Sequence, residues 1–439
     1  MSLLTPIAAA LLGTVAASIL ALIPALHIYN VAGLVALLAL KYPAGISNET
    51  LAMFMLGMVV GHSMVNAIPA IFLSAPDESS IFVVLPAQKY LLRGRGYEAA
   101  MLAGAGSLGG LAAIALLTPV APLVLPPLRA LVQPHLHWIL ALVIVFMIQA
   151  EWPRGGTQPG TPLAKFLDAW AGLGAGIVTF LLSGLLGFVL LYRSPIPTNV
   201  AFQNLLPAFV GFFAIPAVAQ SLITNLQLPR QHIPATLDVS PGLLARGVAA
   251  GALGGMFAAF FPIVTGGIGG MLAGHATAQR DERVFIISQG ASKVLYYVGA
   301  YVLFFVPGLH LSRGGMASMV STLYTPTTPA TYYTVIAALA VSGALSFFLL
   351  LLFTRGAAKI IERVNHRIVS AMTLAILVGV VFWLTGPGGL AVAGIASAIG
   401  AIPILWGTRR MHCLGVLLLP VTLNMAGLGG TVAKWLGLI

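Results

Sequence analysis

Long apolar runs recur from one end of the chain to the other, separated by short polar or proline-containing breaks. Most runs approach the ~20 residues that a helix needs to cross a bilayer. Series of about 10 residues with alternating polarity, which are typical of a membrane barrel, are not seen. The pattern predicts an all-α polytopic transmembrane helix bundle with spans near 6–24, 28–40, 50–73, 98–118, 134–150, 166–192, 199–228, 243–261, 284–306, 330–354, 368–384, 388–405 and 413–430.

Composition supports this class. Of the 439 residues, 59% are hydrophobic and 7% charged, against roughly 25% charged in soluble domains. The net charge of +11 comes from 21 Lys and Arg against 10 Asp and Glu. Since basic residues of membrane proteins concentrate in cytoplasmic loops, we interpret the excess as topological rather than as a nucleic-acid footprint. Attraction of an anionic substrate is the second interpretation. The chain is predicted to be a multi-pass protein of the cytoplasmic membrane, in contact with its lipids.

Two distant stretches have the same organisation. Residues 13–37 and 251–274 each carry small residues on an apolar helix, then a proline, then a short break and a second apolar stretch. Each stretch is followed by an apolar helix that carries several polar residues and leads to an Arg-Gly turn. We predict two homologous halves, 1–195 and 196–439. Their relative orientation, inverted or parallel, stays open.

Broken helices at matching positions of two halves point to a transport site. The N-termini of half-helices present free N–H groups and a positive dipole end, which suit a carboxylate or phosphate. For a single break, close helix packing would be the simpler explanation, but the matched pair favours a site. The predicted substrate-binding residues in the breaks are Pro24, His27, Asn30, Pro262, Thr265, Gly266 and Gly267.

Two further groups of polar residues interrupt apolar helices. His62, Ser63 and Asn66 share a helix face shortly before Pro69, either as contacts between helices or as substrate contacts. Lys293 follows Ser292 near the start of a later span. This lysine either extends to the membrane surface or needs an anionic partner, which could be the substrate. Ser63, Asn66, Pro69, Ser292 and Lys293 therefore join the predicted binding residues.

The stretch APDESSIFVVLPAQKYLLRGRG, at 75–96, is too polar to face lipid. It predicts a re-entrant or interfacial segment in which a helix begins at Asp77 and Glu78, the favourable end for acids. Its basic residues Lys89, Arg93 and Arg95 would then lie near the favourable end for cations. One interpretation is a capped interfacial helix. The other gives Asp77 or Glu78 the coupling Na⁺ or H⁺ and gives Arg95 a contact with an anion.

Motifs of the common enzyme classes are not found. The sequence has no Walker A loop, no metalloprotease HExxH and no GxSxG elbow. The histidines lack the spacing of zinc ligands, and Cys413, as the sole cysteine, has no partner for an intrachain disulfide. We predict no enzyme activity, no metal site and no cofactor beyond a coupling ion.

The first break followed by NAIPAIFLSAPDESSIFVVLPAQKYLLRGRGYEAAMLAGAGSLGGL resembles the TctA family, the large permease subunit of tripartite tricarboxylate transporters. Gly94, Arg95 and Gly96 stand where that family has a small basic turn. The stretches GALGGMFAAFFPIVTGGIGG and RRMHCLGVLLLP resemble its second proline motif and the C-terminal end of archaeal members. Family members usually have Pro-Gly in both breaks, whereas here alanine follows Pro24 and isoleucine follows Pro262.

The resemblance implies that residues 24–30, 66–69 and 262–267 line the pathway. It also implies a small membrane subunit and an extracytoplasmic binding protein, although the chain could work with neither, and a homo-oligomer is possible. The leading hypothesis is a secondary transporter of a small organic anion, such as a di- or tricarboxylate, that is driven by Na⁺ or H⁺ and alternates access between two repeats. The alternatives are a translocase of a lipid-linked phosphate, such as a polyprenyl phosphate, and a structural membrane protein.

Overall fold

The computed structural model describes residues 4–24, 26–41, 45–153, 160–224 and 228–439. Ala25, which belongs to the first predicted break, lies outside the described residues. In these ranges the chain is helical, with no strand.

The first ten α-helices are α1 (Leu4–Leu20), α2 (Ile28–Lys41), α3 (Asn48–Val65), α4 (Ala67–Phe72), α5 (Val84–Leu92), α6 (Gly96–Leu117), α7 (Ala121–Val132), α8 (Leu136–Gln149), α9 (Pro162–Tyr192) and α10 (Leu206–Phe209). The remaining ones are α11 (Ile215–Ile223), α12 (Pro241–Phe260), α13 (Gly266–Ala276), α14 (Glu282–Val294), α15 (Ala300–Phe305), α16 (Gly314–Ser321), α17 (Pro329–Ile361), α18 (His366–Leu405), α19 (Gly415–Met425) and α20 (Gly429–Trp435). A π-helical segment, Leu295–Gly299, joins α14 to α15.

Within the described residues, eight helical stretches are long and apolar enough to cross a membrane, or nine if the bent pair α19 and α20 counts as one span. Their exposed side chains are largely apolar, for example Leu116, Leu182 and Phe348. Long apolar helices of this kind suit the bilayer core, and the predicted all-α polytopic bundle is confirmed.

The observed helices differ from the predicted spans at two places that contain prolines. The spans predicted at 368–384 and 388–405 lie in the single helical stretch α18, which is interrupted only by non-helical backbone at Gly386 before Pro387. Helix α7 was missed because Pro126 and Pro127 lie inside it. A transmembrane helix tolerates such prolines where other groups satisfy the freed backbone atoms.

The chain divides into two compact units. Unit 1 comprises residues 1–131 and 221–373, and unit 2 comprises 132–220 and 374–439. Each unit thus draws on both predicted halves, 1–195 and 196–439. The homology of these halves stays a prediction, since the division by contacts concerns packing and not ancestry.

Unit 1 contains both breaks, and its long helices pack at short distance around them. Helix α3 lies against α1, where a Cβ added to Gly57 would meet the Ala10 carbonyl oxygen at 1.7 Å. Such close approach of backbones is typical of small-residue interfaces between membrane helices. As a result, α1 and α12 both end within a packed unit, and the described residues of their breaks are buried or half-buried.

Candidate functional site

The first break presents a histidine to the interior of unit 1. Helix α1 ends at Leu20 and α2 begins at Ile28, with the buried Pro24 between them. The Tyr29 N–H donates to His27 Nδ1 at 3.2 Å. Because Nδ1 accepts this bond, the ring proton of neutral His27 resides on Nε2. Nε2 lies 3.1 Å from Glu78 Oε1 and 2.9 Å from the Tyr297 hydroxyl.

The second break presents backbone rather than side chains. Helix α12 ends at Phe260, and Ile263 takes a left-handed backbone conformation (φ +63°). Thr265 then caps α13, with its hydroxyl accepting from the Ile268 N–H at 3.4 Å. The Ser292 hydroxyl donates to the Gly266 carbonyl at 2.7 Å and so ties the break to α14.

Gly267 is the place where the acidic loop of the first half meets the first turn of α13. A Cβ on Gly267 would lie 3.0 Å from the Phe82 ring, 3.2 Å from the Ser79 carbonyl oxygen and 3.3 Å from the Glu78 carbonyl oxygen. The two carboxylates are therefore carried by a loop that packs on a helix N-terminus, the end of a helix that favours negative charge.

Asp77 organises that loop by bonding to its own successors. Oδ1 accepts from the Ser79 N–H at 3.2 Å, the Ser79 hydroxyl at 2.8 Å, the Ser80 N–H at 2.9 Å and the Ser80 hydroxyl. Side chains bonded in this way compete with helix formation. The predicted helix start at Asp77 and Glu78 is therefore wrong, because α5 begins at Val84. The two acids lie in a buried turn.

Lys293 is the cation of the site. Its side chain is 6% exposed, so it does not extend to the membrane surface. Nζ donates to Asn66 Oδ1 at 2.7 Å and lies 3.4 Å from Asp77 Oδ2 and 3.5 Å from Ser80 Oγ. The anionic partner that the sequence required is thus supplied by the protein itself, from the other predicted half.

Two buried polar atoms in this cluster, one on Glu78 and one on His62, lack a hydrogen-bond partner in the described part of the chain. Glu78 is 3% exposed, and its Oε2 has no hydrogen-bond partner there. His62, which is 1% exposed, has Nε2 at 3.9 Å from Asp77 Oδ2, too far for a hydrogen bond. Tyr297 bridges the two acids, with its hydroxyl 3.0 Å from Glu78 Oε1 and 3.2 Å from Asp77 Oδ2.

Most of the predicted site residues come together here. His27, Asn66, Asp77, Glu78 and Lys293 form the polar cluster. Thr265, Gly266 and Gly267 lie in the adjoining second break, to which Ser292 of α14 is hydrogen-bonded. Pro24 and Pro262 lie in the breaks, while Asn30 and Pro69 are buried in neighbouring helices.

Two predicted residues are placed elsewhere. Arg95 pairs with Glu98, with 2.6 Å between Nη2 and Oε1, and its side chain is 43% exposed. The Ser63 hydroxyl donates to the Val60 carbonyl of its own helix at 3.0 Å. Neither side chain therefore contacts the cluster directly.

The sequence reasoning missed Tyr297 and the two serines of the acidic turn. Tyr297 lies four residues after Lys293, the spacing of neighbours on one helix face. Ser79 and Ser80 follow an aspartate, an arrangement that favours local side-chain to backbone bonds. These signals were present, but short-range spacing does not show that the groups converge.

Helix α14 connects this cluster to an open crevice. At its first residue, Glu282 Oε1 lies 2.6 Å from Lys89 Nζ and Oε2 lies 4.0 Å from Arg93 Nη1. The crevice beside this pair has a volume of about 480 Å³ and is lined partly by Gln88, Gln279 and Phe285. Between the crevice and Lys293, α14 carries three buried polar side chains: Ser288, Gln289 and Ser292.

Comparisons with known proteins concern the chain as a whole rather than single residues of the site. The family model described as "Tripartite tricarboxylate transporter TctA family" matches residues 7–415. An uncharacterized protein of Methanocaldococcus jannaschii is 26% identical over 431 residues, which cover 94% of this chain and 97% of the relative. No solved structure matches the chain at a significant level. The family is one of membrane transporters and not of enzymes. On the match over nearly its whole length, this multi-pass membrane protein belongs to the TctA family of tripartite tricarboxylate transporters.

Proposed function

We propose that this chain is a secondary active permease that moves a small organic anion, such as a di- or tricarboxylate, across the cytoplasmic membrane together with Na⁺ or H⁺. The observation that carries the proposal is Lys293, a buried ammonium group held between Asn66 and Asp77 at the meeting point of the two breaks. An ionisable residue at membrane depth marks a substrate or ion pathway by default.

The anion would bind by taking over the contact that Lys293 makes with the Asp77 carboxylate. The Lys293–Asp77 separation of 3.4 Å is longer than a charge-assisted hydrogen bond, whereas the contact with Asn66 is short, at 2.7 Å. A substrate carboxylate could therefore take the Lys293 donor that faces Asp77. The first turn of α13, at Gly266 and Gly267, supplies the positive end of a helix dipole beside it.

The route to the site would follow α14. Its crevice is bordered by the basic residues Lys89, Arg93 and Arg280, against Asp281 and Glu282, which raises the local concentration of anions. Ser288, Gln289 and Ser292 then offer polar groups on the way to Lys293. In this reading the Lys89–Glu282 pair closes the route on one side. Movement of one proposed half against the other would open it.

The proposed partners are inferred from membership of the family and not from a contact in the structure. Tripartite transporters of this family use a small membrane subunit and a binding protein, and we propose that the chain accepts substrate from such a protein. Co-purification with a candidate small subunit that is encoded nearby, followed by transport with and without the binding protein, tests this dependence.

One observation favours the second candidate, a translocase of a lipid-linked phosphate. An apolar cavity of about 370 Å³ lies beside the second break and is lined in part by Phe260, Phe261, Leu295 and Tyr332. A prenyl chain would fit such a lining, with its phosphate directed to the cluster. This candidate predicts that the purified protein is stabilised against heat by a short-chain polyprenyl phosphate and not by citrate or succinate.

The deciding experiment is counterflow in proteoliposomes with labelled citrate and labelled succinate. Lys293→Met is expected to reduce exchange at least about tenfold, because the substrate loses its cation. Lys359→Met is the matched control, since Lys359 is an exposed lysine on α17. Equal exchange by both variants would refute the anion site. Gel filtration and thermal unfolding of each variant separate lost binding from lost folding.

A further inference from the structure

The two adjacent carboxylates of the cluster, Asp77 and Glu78, differ strongly in the number of hydrogen bonds that they accept. Asp77 accepts four hydrogen bonds at Oδ1 from Ser79 and Ser80, and its Oδ2 faces Lys293 and Tyr297. A carboxylate with this many donors is held in its charged form. Asp77 is therefore a permanent anion of the site and unsuited to gain and lose a proton in each cycle.

Glu78 has the opposite surroundings. Only its Oε1 is hydrogen-bonded, by His27 and Tyr297, while the buried Oε2 has no hydrogen-bond partner in the described part of the chain. Burying a charged oxygen without donors is costly, and a group in that position gains by becoming neutral. Glu78 Oε2 is thus the open position of the cluster for a proton.

His27 determines which group takes an added proton. Its Nδ1 already accepts the Tyr29 N–H, and its Nε2–H is directed at Glu78 Oε1. A proton added to Nδ1 would break the bond from Tyr29, whereas a proton added to Glu78 Oε2 leaves every hydrogen bond in place. The geometry directs the proton to Glu78, with His27 and Tyr297 as the donors that hold its other oxygen.

The charges around Glu78 link this proton to an anion. With His27 and His62 neutral, the three charged groups of the cluster, Asp77, Glu78 and Lys293, sum to a charge of −1, which repels a carboxylate. Arg313 interacts with Tyr29 and Tyr296 and is not part of this sum. Protonation of Glu78 brings the sum to zero, so that the anion adds to a neutral site. The other titratable or charged side chains that interact with Glu78, or with its neighbours on the packed elements, are His27, His62, Tyr29, Tyr296, Tyr297 and Arg313.

A sodium ion would find too few ligands in the same place. Hard cations take several oxygen ligands at once, but the oxygens of Asp77 and Oε1 of Glu78 already face donors. Within the described chain, no group of three or more His, Cys, Asp or Glu residues is arranged to hold a metal ion. One carboxylate oxygen without a hydrogen-bond partner can bind a proton, but it cannot supply the several oxygen ligands that Na⁺ needs.

We propose that the coupling ion is a proton and that it binds at Glu78 Oε2, so that the anion and the proton enter the site together. This inference rests on the proposed permease function and deepens it. Glu78 is then the proton carrier, Asp77 the permanent anion of the site, and His27 a positioning residue for Glu78.

A substrate-free measurement tests proton binding by itself. Infrared difference spectra of the detergent-purified protein between alkaline and acidic buffer should contain the carbonyl band of a buried carboxylic acid. Glu78→Gln should remove this band, and Glu49→Gln, a change outside the cluster in the first turn of α3, should keep it. A spectrum without the band, or a band that survives in Glu78→Gln, overturns the inference.

Transport then tests the coupling. In proteoliposomes that exchange labelled citrate, an inward proton gradient should drive accumulation, and a trapped pH dye should report proton entry with citrate. Glu78→Gln, fixed in the neutral form, should lose both responses and exchange citrate independently of pH. Accumulation driven by a Na⁺ gradient but not by a proton gradient overturns the inference and leaves the permease function intact. If neither citrate nor succinate exchanges in the wild type, the proposed function fails, and the infrared band alone decides proton binding.

Discussion

The two ends of α14 carry ion pairs of opposite polarity. At the exposed end, the helix contributes the acid Glu282 and the 73–95 segment contributes the cation Lys89. At the buried end, the helix contributes the cation Lys293 and the same segment contributes the acid Asp77. The two residues of α14 are eleven positions apart, about 16 Å along a helix. Each sign matches the helix dipole at its end.

The difference between the pairs lies in their surroundings rather than in their chemistry. The side chains of Lys89 and Glu282 are 58% and 36% exposed, whereas those of Lys293 and Asp77 are both 6% exposed. Exposed pairs contribute little, because water and salt screen them. A buried pair is not replaceable one member at a time, since the remaining charge is left without compensation. Burial therefore makes one pair a surface contact and the other the centre of the candidate site.

The largest effect is expected from breaking the buried pair alone. Lys293→Met leaves Asp77 without its cation and should lower the free energy of unfolding by about 3–5 kcal/mol. The double variant Asp77→Asn with Lys293→Met should lose less than the sum of the single changes, because neither charge remains. Titration with SDS in mixed micelles measures these values. Additive losses would show that the two residues do not interact.

The second effect disturbs the buried end without changing a charge. Gly267→Val forces a side chain against Ser79 and Glu78 and should cost about 1–3 kcal/mol through overpacking. Gly242→Val is the matched control, because Gly242 is also the second residue of a capped helix and has no atom within 4 Å of its Cβ position. Thermal unfolding of the two variants makes the comparison. Equal losses would mean that the acidic loop does not pack on α13 as described.

A smaller effect is expected at the exposed end. Lys89→Gln should lower the free energy of unfolding by less than about 1 kcal/mol, and the loss should shrink further at high salt. The same change should speed citrate exchange if the Lys89–Glu282 pair closes the route to the site. Unfolding and exchange rates at low and high salt measure both properties. A loss as large as that of Lys293→Met would contradict the contrast between the two ends.

The smallest effect concerns pH at the residue that caps α14. The hydrogen bond from the Arg283 guanidinium, at 2.9 Å, lowers the pKa of the Asp281 carboxyl below its ordinary value. A carboxylate with a lowered pKa stabilises the fold above its unfolded-state pKa, and the contribution disappears as the pH falls through the folded-state pKa. Asp281→Asn keeps a capping side chain. The variant should therefore be less stable than wild type by a few tenths of a kcal/mol at neutral pH and equal to it in acid. A difference that persists in acid would point to capping rather than to charge.

The helical membrane class and the two breaks could be predicted because both are local properties of the sequence. Runs of apolar residues and interior prolines such as Pro24 and Pro262 determine them directly. The pairing within the site could not be predicted, because His27 meets Glu78 across 51 positions and Lys293 meets Asn66 across 227. The predicted anion contact of Arg95 was inferred from its charge alone. In the structure Arg95 instead pairs with Glu98, three residues later, and lies away from the cluster.

The turn at Asp77 also has a consequence for biogenesis. Asp77 is synthesised 216 residues before Lys293, which corresponds to roughly 10–40 s at about 5–20 residues per second. Throughout that interval an acid destined for the membrane interior lacks its cation. Ser79 and Ser80 leave the ribosome directly after it and carry the four donors that Oδ1 accepts in the folded chain. Because these donors are only two or three residues from Asp77, we expect the two serines to satisfy its carboxylate before Lys293 has been made.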